Sequence, residues 1–179
     1  FECRGDFNFD HLLIAGDYKD SKTEKMIKLY KYQFIRDLCF PISNLFVKYL
    51  SWLSNKSGLN IFKDNPLVIP VPISKYRLNW RGFNQSELLA KALCDRFNFI
   101  LDTTRLSKNS STPQADVELK AERQSNIIGK FSYLGPSLEG REIVLVDDIC
   151  TTGSTLNECA KLLKNNGAGK IYALVVARG

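Results

Sequence analysis

An α/β fold with a parallel sheet flanked by helices is what this sequence predicts. Ile143-Val144-Leu145-Val146 is an unbroken apolar run of strand length. A strand without polar alternation is one buried on both faces, the habit of parallel sheets. That run opens a strand–helix–strand series: Glu142 to Val146, a helix from Ser154 to Asn166 stopped by Gly167, and a second apolar strand from Ile171 to Ala177. Ahead of the first strong strand lie two amphipathic helical patterns. They predict a small N-terminal subdomain, or hood, over residues 1–60, on a core of residues 61–179.

The elements follow in order. Phe7 to Tyr18 has weak periodicity and predicts one or two short strands. From Ser21, the apolar residues Met26, Ile27, Tyr30, Phe34 and Leu38 recur at helical spacing, and Pro41 is expected to end that helix. A second helix starts near Pro41 with Ile42, Leu45, Phe46, Tyr49, Leu50 and Leu53 on one face. Leu67-Val68-Ile69 is a buried-type strand, stopped by Pro70-Val71-Pro72. Ile73 to Gln85 reads as a loop dense in cations, followed by a helix from about Gln85 to Phe97 and a strand from Phe99 to Thr104. Arg105 to Gly129 is polar, with turn residues Asn109-Ser110-Ser111 and a short helix expected near Glu118 to Asn126; such a segment in a compact domain often serves as a lid. Phe131 to Tyr133 is expected to return to the sheet.

Composition narrows the function classes. The chain has 179 residues, 44% apolar and 25% charged, enough for one α/β domain with a real core. No apolar run reaches membrane-spanning length, so no membrane insertion is expected. The first ten residues are mixed in charge and do not read as a signal peptide, so a cytoplasmic location is expected. The five cysteines, Cys3, Cys39, Cys94, Cys150 and Cys159, are scattered and odd in number, as reduced thiols are. His11, the only histidine, reads as a structural residue, with a triad or metal site built on it the lesser alternative. A net charge of +6 suits phosphates, nucleotides or nucleic acid, without choosing among them.

The chemistry concentrates in Ile143 to Thr155. A buried parallel strand delivers Asp147 and Asp148 at its C-terminal end, where ligands bind in open α/β sheets. Thr151-Thr152-Gly153-Ser154-Thr155 then leads into a helix, so its hydroxyls and amides form a cradle for an anion. Gly153 permits the tight turn. Carboxylates that accept from hydroxyls, beside donors for one phosphate, together fit a sugar phosphate. The segment is neither a P-loop nor a dinucleotide fingerprint, because both glycine patterns are absent. An acidic turn with a Thr/Ser cap is common in α/β proteins, and Asp-Asp alone would not exceed that. The coincidence of apolar strand, two acids and T-T-G-S-T does.

Val144 to Thr155, VLVDDICTTGST, closely resembles the phosphoribosyl diphosphate (PRPP) motif of type I phosphoribosyltransferases. IPVPISKYRLNWRGFNQSELLAKAL, residues 69–93, and TPQADVELKAERQSNIIGKF, residues 112–131, narrow the likeness to the ComF family, phosphoribosyltransferase-like proteins linked to bacterial competence and DNA uptake. The resemblance covers most of Lys19 to Gly179 and implies a type I phosphoribosyltransferase fold. It also implies roles. Asp147 and Asp148 would accept from the ribose 2- and 3-hydroxyls, and Thr151, Thr152, Gly153, Ser154 and Thr155 would hold the 5-phosphate. Neighbours on an ideal strand face opposite ways, so the acidic pair must sit where the strand has begun to turn. Ser74 and Lys75 would meet the diphosphate, with Arg77 and Arg81 as further cations, and Arg105 to Lys130 would close over the site. Mg2+ would arrive with PRPP, needing few protein ligands. ComF-like proteins often begin with a four-cysteine zinc module; only Cys3 stands near the start here, and no zinc is expected in these residues.

Several assignments stay open at this level. Trp80 and Phe83 are either loop and core anchors or platforms on which bases of single-stranded DNA stack. Lys120 and Arg123 either reach the diphosphate or face solvent, whereas Cys150 reads as a packing residue. Two function classes compete: an enzyme transferring a phosphoribosyl group to a nitrogen nucleophile, with Asp147 and Asp148 at its catalytic centre, and a PRPP-responsive or single-stranded-DNA-binding protein working with competence proteins.

Overall fold

The computed structural model describes residues 7–16, 21–32, 36–57, 65–109 and 129–179. Its elements, in chain order, are β1 (His11–Ile14), α1 (Ser21–Tyr32), a 3-10 turn (Arg36–Leu38), α2 (Cys39–Ser57), β2 (Leu67–Pro70), α3 (Lys75–Arg81), α4 (Gln85–Phe97), β3 (Ile100–Leu101), β4 (Leu106–Lys108), β5 (Phe131–Tyr133), β6 (Ile143–Cys150), α5 (Ser154–Asn165) and β7 (Ile171–Arg178). The expected helix near Glu118 to Asn126, Lys120 and Arg123 within it, Phe34 and Cys3 lie outside the described residues.

The main sheet runs β1-β7-β6-β2-β3, all neighbours parallel. β6 and β7 lie at its centre because their side chains are apolar on both faces. On one face Val144, Val146 and Leu174 pack with Tyr30, Phe46, Leu50, Leu89 and Leu93 from α1, α2 and α4. On the other, Ile143, Leu145, Ala173 and Val175 pack with Leu156, Cys159, Ala160 and Leu163 of α5. This is the α/β architecture that the apolar strands predict.

The segment expected to form a hood contributes to this same body. β1 extends the sheet beside β7, and α2 lies on the face shared with α4. Asp10 pins the joint, its Oδ2 accepting from Ile171 N at 2.7 Å and from Lys164 Nζ at 2.9 Å. Burial opposes the charge on Asp10, yet the Lys164 and Ile171 donors outweigh it and hold the carboxyl below its usual pKa.

Four local departures have physical causes. Pro41 sits in the first turn of α2 rather than ending a helix; there its missing N–H costs no bond. β3 stops at Leu101 because Asp102 turns the chain, accepting from Thr104 N at 2.9 Å and from Arg105 Nε at 2.7 Å. β5 does not rejoin the main sheet; it pairs antiparallel with β4 in a separate two-stranded ladder packed on the α5 face. The cationic loop after β2 is largely helical, as α3. Ser74 Oγ accepts from Arg77 N, and Gly82 closes the helix at φ 75°, a left-handed conformation that suits glycine.

Pro70 is tolerated in the sheet by strand order. Leu67 N and Val71 N donate toward β6, so Pro70 turns its nitrogen to the other side, where β3 has already ended at Leu101.

Candidate functional site

β6 runs past Val146 to Cys150, so the acidic pair lies inside the strand and not after it. Its side-chain alternation nevertheless breaks at that pair. Ile143 and Leu145 face α5 and Val144 and Val146 face α4, whereas Ile149 returns to the α4 side and Cys150 to the α5 side. A regular strand would place them the other way round. The expected local turn is therefore a change of phase within a continuous strand.

Backbone and side chain lock that irregularity. Asp147 Oδ1 accepts from Asp148 N at 2.9 Å, and Asp148 Oδ1 accepts from Ile149 N at 2.7 Å. Asp148 is buried, 6% exposed, whereas Asp147 is half-buried. Asp147 Oδ1 also accepts from Ser86 Oγ at 2.8 Å, 61 residues away in the chain. Ser86 is held by Asn84, which caps α4 through Ser86 N at 3.1 Å and donates from Nδ2 to Val71 O at 3.1 Å. The Arg81-Gly82-Phe83-Asn84-Gln85 run thus ties the α3–α4 turn to the ends of β2 and β6. Sequence reasoning singled out that run but missed Ser86, which follows it directly.

A test of this brace is direct. Ser86→Ala removes a hydrogen bond to a charged group and is expected to lower stability by about 1–2 kcal/mol, read by urea denaturation. Ser86→Thr should recover most of it. Equal stability of Ser86→Ala and wild type would show that the bond contributes nothing.

After β6 the chain turns into α5 through residues 151–153. Gly153, at φ 80°, is the N-cap of α5; it brings no side-chain cap, and the first turn of α5 holds no acid. The positive end of this 12-residue helix therefore has no carboxylate in its own first turn to offset it. Thr152 Oγ1 lies 2.8 Å from Ser154 Oγ and accepts from Ser154 N at 3.3 Å. Thr151 and Thr152 are exposed, Ser154 and Thr155 half-buried. The Phe7 ring lies against Gly153, where an added Cβ would sit 3.2 Å from it. Cys150 is buried at 4% exposure, a packing residue as expected.

The structure brings Asp147, Asp148 and Thr151 through Thr155 together along one edge. Ser74, Lys75, Arg77 and Arg81 all belong to α3 or its cap, just past β2. Ser74 Oγ is engaged in capping, and Arg81 Nη1 donates to Gln85 Oε1 at 3.1 Å, directed at the α3–α4 turn. Lys75 is exposed and Arg77 half-buried. Phe83 is a core anchor, 6% exposed and 5.9 Å from the Tyr30 ring, whereas Trp80 stands 60% exposed. His11 stacks on Tyr172 at 5.2 Å, a structural contact.

A family model described as the phosphoribosyl transferase domain matches residues 84–179, from the α4 cap through β7. Competence protein F of Haemophilus influenzae is 37% identical over 96% of this chain and 74% of its own length. DNA utilization protein YhgH of Shigella flexneri is 34% identical over 95% of this chain and 73% of its own. A solved hypoxanthine phosphoribosyltransferase from Staphylococcus aureus is 14% identical over 88% of this chain and 68% of its own, with a TM-score of 0.42. Among the described residues, no helix is long and apolar enough to cross a membrane. With the motif on the β6–α5 edge and relatives of this identity along nearly the whole length, the chain belongs to the ComF family of phosphoribosyltransferase-like proteins.

Proposed function

We propose that the β6–α5 edge binds PRPP and that the protein transfers its 5-phosphoribosyl group to a nitrogen nucleophile in a process linked to competence or DNA utilisation. The observation that carries this reading is an α5 N-terminus with no acid in its first turn, placed a few residues after two carboxylates. A lone phosphate would satisfy the helix end, and hydroxyls alone the carboxylates; one sugar phosphate satisfies both. Asp147 and Asp148 accept from the ribose hydroxyls, and the Thr151–Thr155 turn holds the 5-phosphate. Lys75 and Arg77 supply positive charge on the side of the diphosphate.

The residues present fit a magnesium ion carried by the ligand. Asp147 and Asp148 offer hard oxygen donors, and among the described residues no group of three His, Cys, Asp or Glu forms a protein cage. Such an ion, when bound, offsets charge on the diphosphate. The chain's own part is to orient the sugar and exclude water while the anomeric C–O bond breaks. Its electron pair leaves with diphosphate, and the nitrogen lone pair forms the new bond. Diphosphate release from PRPP and magnesium, screened with purines, pyrimidines and ammonia, tests transfer. PRPP-dependent stabilisation without release would reduce the protein to a sensor, and absence of both would remove the reading.

A second reading has its own observation. No residue of α3 is buried, and Tyr76 and Trp80, 55% and 60% exposed, lie four apart on one face among Lys75, Arg77 and Arg81. Exposed aromatics beside cations are platforms for stacked bases. If single-stranded DNA docks there, Trp80→Ala weakens binding by about 1–3 kcal/mol, measured by oligonucleotide titration at fixed salt. Unaltered affinity in that variant excludes α3 as the platform.

A further inference from the structure

We propose that residues 7–10 form a strap that sets the shape of the Thr151–Thr155 turn, with Phe7 and Asn157 as positioning residues for the 5-phosphate; the inference rests on the PRPP reading above. The strap is fastened twice. Asp10 N donates to Ile171 O at 2.9 Å and Asp10 Oδ2 accepts from Ile171 N at 2.7 Å, which ties it to β7 just ahead of β1. Asn8 reaches α5 instead: its backbone N and its Nδ2 both donate to Asn157 Oδ1, at 2.7 and 2.9 Å. Asn157 N in turn donates to Gly153 O at 2.8 Å. One residue of α5 thus holds the strap through its side chain and the turn through its backbone. Phe7 and Phe9, on either side of Asn8, stack at 4.8 Å, and Phe9 is buried.

The ring of Phe7 meets the turn at its glycine. Phe7 Cε1 and Cζ lie 3.2 and 3.4 Å from where a Cβ on Gly153 would stand, and Cys150 Sγ lies 3.7 Å from the same point. Both side chains pack with the apolar cluster on the α5 face, so the bare side of Gly153 is turned to the core. Gly153 is buried accordingly, whereas Thr151 and Thr152 are exposed and Ser154 and Thr155 half-buried. The strap therefore covers the one residue of the turn that lacks a side chain and leaves Thr151 and Thr152 open to solvent. A glycine at φ 80° has many other conformations within reach. A turn that must be ordered as its ligand arrives binds more weakly by the entropy of that ordering, and a turn already held in shape does not. Phe7 and Asn157 supply the restraint.

The test is calorimetric titration of the full chain with ribose 5-phosphate, and with PRPP plus magnesium. Phe7→Ala is expected to weaken both ligands by a common factor of about tenfold, what ordering one residue's backbone costs, and Phe7→Leu to recover most of the loss. Asn157→Ala should weaken both likewise. The double variant Phe7→Ala, Asn157→Ala should lose little beyond either single one, because both release the same strap. Without ligand, the amides of Gly153 and Ser154 should exchange hydrogen faster in Phe7→Ala than in wild type. Wild-type affinity in both single variants, whatever their melting temperatures, overturns the proposal and leaves only a packing contact. Weaker binding with unchanged exchange at Gly153 and Ser154 overturns it as well. So does tighter binding, which would put the ring in the path of the phosphate. A wild-type chain that binds neither ligand sinks the PRPP reading itself, whereas variants that bind as well as a binding wild type sink the strap alone.

Discussion

The double variant Asp148→Asn, Thr152→Ala is expected to show none of the thermal stabilisation that the proposed binding of PRPP with magnesium would give the wild type, with its ligand-free melting temperature nearly unchanged. At a hundredfold excess over Kd a ligand adds about 2.7 kcal/mol to the folded state. For a domain of this size that is a shift of roughly 5–10 °C. Asparagine keeps a carbonyl oxygen in place of Asp148 Oδ1, so the bond from Ile149 N survives; what disappears is the charge that a ribose hydroxyl would seek. Thr152 is exposed, and its removal frees Ser154 without opening the core. Undiminished PRPP affinity in this variant would remove the β6–α5 edge as the site.

Gly169→Ala is expected to damage the fold more than any other glycine replacement along α5 and β7. A Cβ at Gly169 would fall 2.2 Å from Gly140 O and 3.0 Å from its carbonyl carbon. Both obstacles are backbone, so no side chain can swing aside. Gly169 is also fastened in place, its N donating to Arg141 O at 2.9 Å and its carbonyl accepting from Lys164 Nζ at 2.6 Å. The loss should reach the upper end of the overpacking range, about 3 kcal/mol, or roughly 6–12 °C in melting temperature. Gly140→Ala is the control: its φ of 78° strains an alanine, but nothing lies within 4 Å of the new Cβ. That variant should lose only about 1 kcal/mol. Equal melting temperatures for the two would mean that the turn between α5 and β7 yields, and that the close approach is not structural.

These expectations differ in how far ahead of the structure they were visible. Asp148 and Thr152 are legible in VLVDDICTTGST, because a buried strand, an acidic pair and a glycine at a helix start are each written in adjacent residues. The signals for α3 were present too, Ser74 as N-cap and Gly82 as C-terminal stop, but Pro70 and Pro72 and the density of cations concealed a helix only seven residues long. Gly169 carries no such mark: its φ is not positive, and only the approach of the Gly140 backbone makes a side chain intolerable.

By itself the sequence determined the apolar strands β6 and β7, the helix α5 between them and the helical patterns of α1, α2 and α4. Each depends on periodicity or conformation within a few neighbouring residues, which local chemistry dictates. Only the tertiary structure decided that β1 joins β7, that β5 pairs with β4, and that Ser86 braces Asp147. Spacing along the chain carries no information on those pairings. Which strand edge is left open, and which polar group finds a partner across the fold, is settled when the two apolar faces of the sheet are covered and the remaining groups must satisfy one another in the space left.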